Sequence, residues 1–158
     1  MLSGGDIMQG RENKISNDLF FVCSLIDYIS RRTLNHRSTV IELLGKKKLQ
    51  KILDLADIYH SENIDRVSDD LIQEAGIPFG EFDNVTMCKY SIPSYWDIGK
   101  VYKRLIKGIA ESQNMPIIDA LFLAYNSFIS PKIDDYNSSF YYENPDNILR
   151  AYLEGVIE

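Results

Sequence analysis

The 158-residue chain contains only two cysteines, two histidines and one tryptophan. Cys23 and Cys88 lack close spacing, which rules out a disulfide framework and a cysteine-rich zinc site. Cys23 sits in the apolar run Phe20–Ile26, where a buried free thiol is expected. A Cys–His nucleophile pair would need one of these thiols beside His36 or His60. His60, next to Ser61 and Glu62, reads instead as a cap at a helix end. P-loop, Rossmann, HExxH and GxSxG signatures are all missing. Asp135, Asn137 and Ser139 have the spacing that opens an EF-hand loop. However, Phe140 stands where that loop turns on glycine, and Asp146 where a glutamate is expected. The sequence therefore predicts no catalytic residues, no metal and no cofactor.

Long apolar runs are missing too. No stretch approaches the ~20 residues of a membrane span, and Met1–Glu12 lacks the apolar core of a signal peptide. The expectation is a cytoplasmic protein with a flexible tail over residues 1–12.

What the chain does have is charge in blocks of alternating sign. Residues 14–51 hold eight Lys/Arg against three acids, and residues 52–86 hold one against nine. Residues 87–115 hold five against two, and residues 116–158 two against seven. The net formal charge is −6. A pI near 4.9 disfavours non-specific binding of the whole molecule to nucleic acid or anionic membranes, though not by a local patch. Blocks of this kind suit docking between charged faces.

Helical periodicity dominates over strand alternation. The pattern predicts an all-α fold, a bundle of six or seven helices in two packed lobes, residues 13–76 and 85–158. The first helix runs from about Asn17 to Arg32 and carries two apolar stripes. One is Leu19, Val22, Cys23, Ile26 and Ile29; the other is Phe21, Leu25 and Tyr28. Burial on more than one side follows, either as the central helix of its lobe or in a homodimer interface. Thr39 with Glu42 has capping-box spacing ahead of a short helix to Leu44, and Gly45 marks a break. A helix over Lys47–His60 follows. Asn63 or Asp65 caps the next one, which ends at Ala75 with Gly76 as C-cap. The Gly76–Gly80 segment reads as the lobe boundary, and Val85–Ile92 as extended. Ser94 with Asp97 starts a helix with core residues Ile98, Val101, Tyr102, Leu105 and Ile109. Lys100, Lys103, Arg104 and Lys107 lie on its opposite side. Pro116 opens a helix through Phe128, and Asn144-Pro145 opens the last.

Two surfaces stand out. The loop 134–144 concentrates Tyr136, Phe140, Tyr141 and Tyr142 among acids and amides; the rings either fold back over the core between two helices or form an interface hot spot, whose composition this is. Lys100, Lys103, Arg104 and Lys107 read first as a solvated helix face, with an electrostatic complement to this loop in another subunit as the alternative. The second surface is the basic segment Arg31, Arg32, Arg37, Lys46, Lys47, Lys48 and Lys51. A short helix, Gly45 and a lysine-rich helix resemble a helix-turn-helix, with Arg37, Lys46, Lys47, Lys48 and Lys51 as nucleic-acid contacts. Three lysines at a helix N-terminus oppose the macrodipole, a cost that vanishes if 39–59 is one helix.

Phe20–Tyr28, Leu55–His60 and the segment Asn63-Ile64 with Asp70–Ile72 together resemble a family of small, helical, uncharacterised bacterial proteins sometimes encoded beside ADP-ribosyltransferase-like toxins. The resemblance covers about residues 17–75 and implies an antitoxin or accessory role. The reading that follows is a non-catalytic protein–protein interaction module, antitoxin-like or regulatory, with a protein partner and no membrane. The alternative is a helix-turn-helix nucleic-acid-binding regulator.

Overall fold

The computed structural model describes residues 4–157, and all the regular structure among them is helical. Nine α-helices follow in order: α1 (Gly4–Thr33), α2 (Arg37–Leu44), α3 (Lys46–Asp54), α4 (Ala56–His60), α5 (Ile64–Ala75), α6 (Tyr95–Gln113), α7 (Ile117–Tyr125), α8 (Ser130–Ile133) and α9 (Pro145–Glu154). A single 3-10 turn spans Phe140–Tyr142. Helix α1 begins within the segment read as a tail, while residues 1–3 lie outside the described residues.

The count exceeds six or seven because long periodic stretches break locally. Gly45, at φ +84°, separates α2 from α3, so 39–59 is not one helix. Leu55, at φ −111° and ψ 20°, interrupts the stretch 47–60 and creates α4. Helix α2 starts after His36 rather than Thr39, and no capping box forms there. Residues 84–87 form a turn, and 85–92 contain no strand. Elsewhere the capping signals act as read. Asn63 accepts from the Asp65 amide, Gly76 takes the left-handed conformation, and Ser94 with Asp97 completes a capping box. Asn144 accepts from the Asp146 amide, with Pro145 at the helix start.

Helix α1 is the axis of the molecule. Its longest contact is with α6, and α2, α3, α4 and α5 pack around the rest of it. Leu19, Val22, Cys23, Ile26 and Ile29 are buried, and so are Phe21 and Leu25 from the second stripe. Both stripes are thus covered within one chain, so they supply no argument for a homodimer through this helix. The approach of α6 is close because residue 99 is glycine. A Cβ there would lie 2.8 Å from the Ser24 backbone nitrogen and nearer still to its hydroxyl.

The buried side chains form a single cluster, from Leu19 through Leu71 and Ile98 to Ile148. The segment after Gly76 is strapped across the end of α1 rather than left as a free linker. The Gly80 amide donates to the Thr33 carbonyl and the Phe82 amide to the Leu34 carbonyl, each at 2.8 Å. Asn35 Nδ2 donates to the Pro78 carbonyl, also at 2.8 Å.

Candidate functional site

The strap, α1 and the start of α2 bring together a group of polar side chains that the sequence scatters. Asp27 sits on α1 among apolar neighbours, and a carboxylate there requires partners. It accepts from Arg37 Nε through Oδ1 and from Arg31 Nε through Oδ2, both at 2.7 Å. The Tyr136 hydroxyl accepts from Arg31 Nη2 at 3.0 Å and Arg37 Nη2 at 3.2 Å. Below this lies Asp134, whose carboxylate accepts from the Tyr102 hydroxyl at 2.7 Å. Asn84 Nδ2 donates to the Asp134 carbonyl at 2.9 Å. Burial pushes the Asp134 carboxyl up to about 6, against the opposing pull of Arg37. Burial works against the Arg37 cation, but Asp27 and Asp134 outweigh it and keep its proton more tightly bound than usual.

This centre redistributes the predicted basic surface. Arg37 is 0% exposed, so it offers no atom to a nucleic acid, and its place among the nucleic-acid contacts is corrected. Arg31 turns into the same centre, and Arg32 pairs with Asp69 on α5 at 2.6 Å. The lysines do cluster at the start of α3, where the macrodipole disfavours them. Carboxylates from other helices offset part of that cost. Lys46 pairs with Asp119 on α7, and Lys48 with Glu74 on α5 at 2.9 Å. Lys47 and Lys51 remain exposed.

The aromatic loop divides in a similar way. Tyr136 is 3% exposed and belongs to the buried centre, so its assignment as a partner contact is corrected. Phe140 and Tyr141 are half-buried against the core, while Tyr142 is 79% exposed. Tyr141 packs edge-on against Tyr136, with ring centroids 5.9 Å apart, and stacks at a tilt beside Tyr142 at 4.7 Å. The loop therefore holds Tyr142 outward from a fixed base.

Tyr141 and Tyr142 form one wall of a groove of about 360 Å³, and Lys100, Val101 and Arg104 of α6 form the other. Two of the cations weighed as a complement to this loop in another subunit, Lys100 and Arg104, thus lie beside it in the same chain. Lys100, Lys103, Arg104 and Lys107 recur at helical spacing along one face. Among the described residues, no carboxylate comes within 4.0 Å of their charged nitrogens. Partial burial, and after it the neighbouring Arg104, Lys107 and Lys100, lower the Lys103 pKa. Two acids also line the groove: Asp97, which closes the capping box, and Glu143, which accepts from Asn147.

The remaining reactive side chains are dispersed. His36 stacks on Phe82 and His60 on Phe21. The Cys23 thiol is buried, which pushes it up to about 12, and Cys88 donates weakly to the Tyr90 carbonyl. Asp135 accepts from the Asn137 amide at 3.0 Å, a turn contact. Among the described residues, no cluster of His, Cys, Asp and Glu has a geometry suited to a metal ion. No described helix is long and apolar enough to cross a membrane. The sequence had no pattern that exposed Asn84 or Phe82. Asp27 did carry a signal, as a lone carboxylate between Ile26 and Tyr28.

No protein-family profile, curated protein or solved structure matches this chain.

Proposed function

We propose that the protein is a non-catalytic docking module that receives an acidic segment of a protein partner in the groove between α6 and the Tyr141–Tyr142 loop. One observation supports this reading: among the described residues, four cations on one face of α6 have no carboxylate within 4.0 Å, and two of them, Lys100 and Arg104, border an exposed tyrosine. Such a cluster repels itself in the free protein and gains from an incoming anion. Tyr142 adds a rigid aromatic contact with little rotamer entropy to lose. Charge steering accelerates the encounter, and the aromatic wall slows departure. The class assigned on this reading is an antitoxin-like or regulatory binding protein of the cytoplasm, built in two packed lobes.

The helix-turn-helix alternative keeps one observation in its favour. Gly45 does separate two helices, and Lys47 and Lys51 on the second are exposed, with no carboxylate within 4.0 Å among the described residues.

The deciding experiment is capture of partners on the tagged protein, with and without nuclease, for wild type, Lys100→Glu/Arg104→Glu and Tyr142→Ala. Docking in the groove predicts a stoichiometric protein that survives nuclease and is lost from both variants. Retention by both variants overturns the groove. Recovery of nucleic acid that depends on Lys47 and Lys51, with a steep loss in salt, transfers the assignment to α3.

A further inference from the structure

Between Leu19 and Ser30 every residue of α1 is buried except Phe20 and Tyr28. Both rings meet the start of α6 and join a single aromatic row there. Between ring centroids, Phe20 lies 5.4 Å from Trp96, Trp96 5.0 Å from Tyr95, and Tyr95 4.8 Å from Tyr28. All four are half-buried, so the rings pack on one another while the row still reaches solvent. His60, exposed at the end of α4, flanks the row 6.2 Å from Trp96. Tryptophan and tyrosine are the residue types that concentrate binding energy at interface centres. Trp96 shares a flank of α6 with Lys103 and Lys107, and none of the three lines the groove.

The two ends of the row differ in charge. At the Phe20 end, Lys103 Nζ stands 5.8 Å from the ring centroid, and Lys107 follows one turn further along α6. At the other end the Arg32 guanidinium lies 5.8 Å from the Tyr28 centroid and ties the row to α5. Arg32 Nη1 donates to the Asp65 carbonyl at 3.4 Å, and Nη2 pairs with Asp69 at 2.6 Å. Asp65 and Asp69 are both exposed and lie four residues apart on one face of α5. Arg32 offsets one of these carboxylates. The Asp65 carboxylate has no Lys or Arg nitrogen within 4.0 Å among the described residues, which leaves this end net negative.

A row with a basic end and an acidic end is complementary to itself when reversed. Turning a second copy by a two-fold rotation about the middle of the row sets Lys103 and Lys107 against Asp65 and Asp69 at both ends at once. Such a contact uses the same patch on each copy, as two-fold symmetry requires. A uniformly acidic partner would be repelled at the Tyr28 end, and a uniformly basic one at the Phe20 end. Lys103 and Arg32 already cover part of the end rings, so Trp96 and Tyr95 supply the apolar centre.

We propose that the protein pairs with a second copy of itself through this row, with the rings at the centre and lysine–aspartate contacts at both rims. The dimer involves α1 by way of Phe20 and Tyr28, not through the buried members of its two stripes. It is independent of docking in the groove, since it draws on the other flank of α6.

The test is sedimentation velocity of the full chain together with fluorescence of Trp96, the sole tryptophan. Wild type should dimerise with a Kd of about 1–100 μM, the scale of a small interface, and Trp96 emission should move to shorter wavelength as the dimer forms. Lys103→Glu/Lys107→Glu makes both ends acidic, and Asp65→Lys/Asp69→Lys makes both ends basic. Each variant alone should stay monomeric at concentrations where wild type is dimeric. Mixed in equal amounts, the two should form a heterodimer, which also shows that neither has lost its fold. A monomeric wild type, dimers persisting in either variant, or dimerisation without a Trp96 shift would overturn the proposal. So would a mixture that stays monomeric while both variants keep the far-UV circular dichroism of wild type. Species larger than a dimer would mean a head-to-tail contact and would overturn the two-fold arrangement.

Discussion

Arg37 Nε and Asp27 Oδ1 meet at 2.7 Å with 0% and 1% of their side chains exposed, a fully desolvated ion pair at the end of the central helix. Two buried charges are tolerated because their other atoms are also satisfied. Asp27 takes a second arginine, and Arg37 reaches Tyr136. Removing one partner strands the other in a medium that cannot solvate it. Arg37→Met and Asp27→Asn are each expected to lose about 3–5 kcal/mol in urea unfolding. The double replacement Asp27→Leu/Arg37→Met should recover part of that loss, since an apolar pair needs no counter-charge. Additive losses in the double variant would count against the network.

Asp134 makes stability depend on pH in the direction opposite to most carboxylates. Its carboxyl titrates at about 6 in the folded chain against 3.8 ordinarily, because burial penalises the charged form. As pH rises from about 4 through 6, the folded protein keeps a proton that the unfolded chain has released, so stability falls. The shift corresponds to roughly 3 kcal/mol, fully lost above about pH 7. Asp134→Asn keeps an oxygen acceptor for Tyr102 without titrating. Urea unfolding at pH 5 and pH 8 should therefore show the variant gaining on wild type by a few kcal/mol at the higher pH. Parallel profiles would mean that Asp134 does not carry this dependence.

Tyrosines in the 134–144 loop should separate into structural and docking residues. Tyr136→Phe deletes an acceptor shared by two arginines and should cost about 2–3 kcal/mol of stability. Tyr142→Ala removes an exposed ring and should change stability by less than about 0.5 kcal/mol while weakening partner capture. A large stability loss in Tyr142→Ala would show that its ring serves the fold.

Much of the helical frame was legible from local chemistry. Asn63, Gly76, Ser94 with Asp97, and Asn144-Pro145 act through hydrogen bonds within a few residues, so spacing alone identifies them. The double stripe of α1 correctly required burial on two sides, but periodicity cannot say whether the cover comes from the same chain. Here α6, more than sixty residues downstream, provides it. The break at Leu55 has no glycine or proline to announce it. The sites were less legible for the same reason. Arg37 and Tyr136 each looked like surface residues in their own segments, and only their meeting across ninety-nine positions turns both inward. The groove was half visible: the α6 cations and the tyrosine loop were both apparent, but their adjacency depends on how α9 and its preceding loop return to α6.

The two thiols should differ sharply in reactivity. Cys23 is fully buried and its thiol is pushed up to about 12, so almost no thiolate forms near neutral pH. Cys88 is half-buried at a turn. Alkylation of the native protein at pH 8 should modify Cys88 alone, with Cys23 reacting only after unfolding in urea. Rapid modification of Cys23 under native conditions would indicate that the α1–α6 contact opens readily.

That contact gives the most direct test of the packing. Ser24 faces Gly99 with no room for a methyl group, and the obstruction includes backbone atoms of α1 rather than a flexible side-chain tip. Helix propensity alone would favour Gly99→Ala by up to about 1 kcal/mol in the second turn of α6. Overpacking opposes it, because a Cβ would force the two central helices apart along their longest contact, at a cost of about 1–3 kcal/mol. The steric term should win, leaving Gly99→Ala less stable than wild type. Gly108→Ala provides the contrast, since the nearest atoms to its Cβ would belong to the Leu149 side chain, which can shift, rather than to backbone. Urea midpoints should therefore fall clearly for Gly99→Ala and change little for Gly108→Ala. Equal effects at the two positions would mean that the close approach of α1 and α6 is not what glycine at 99 secures.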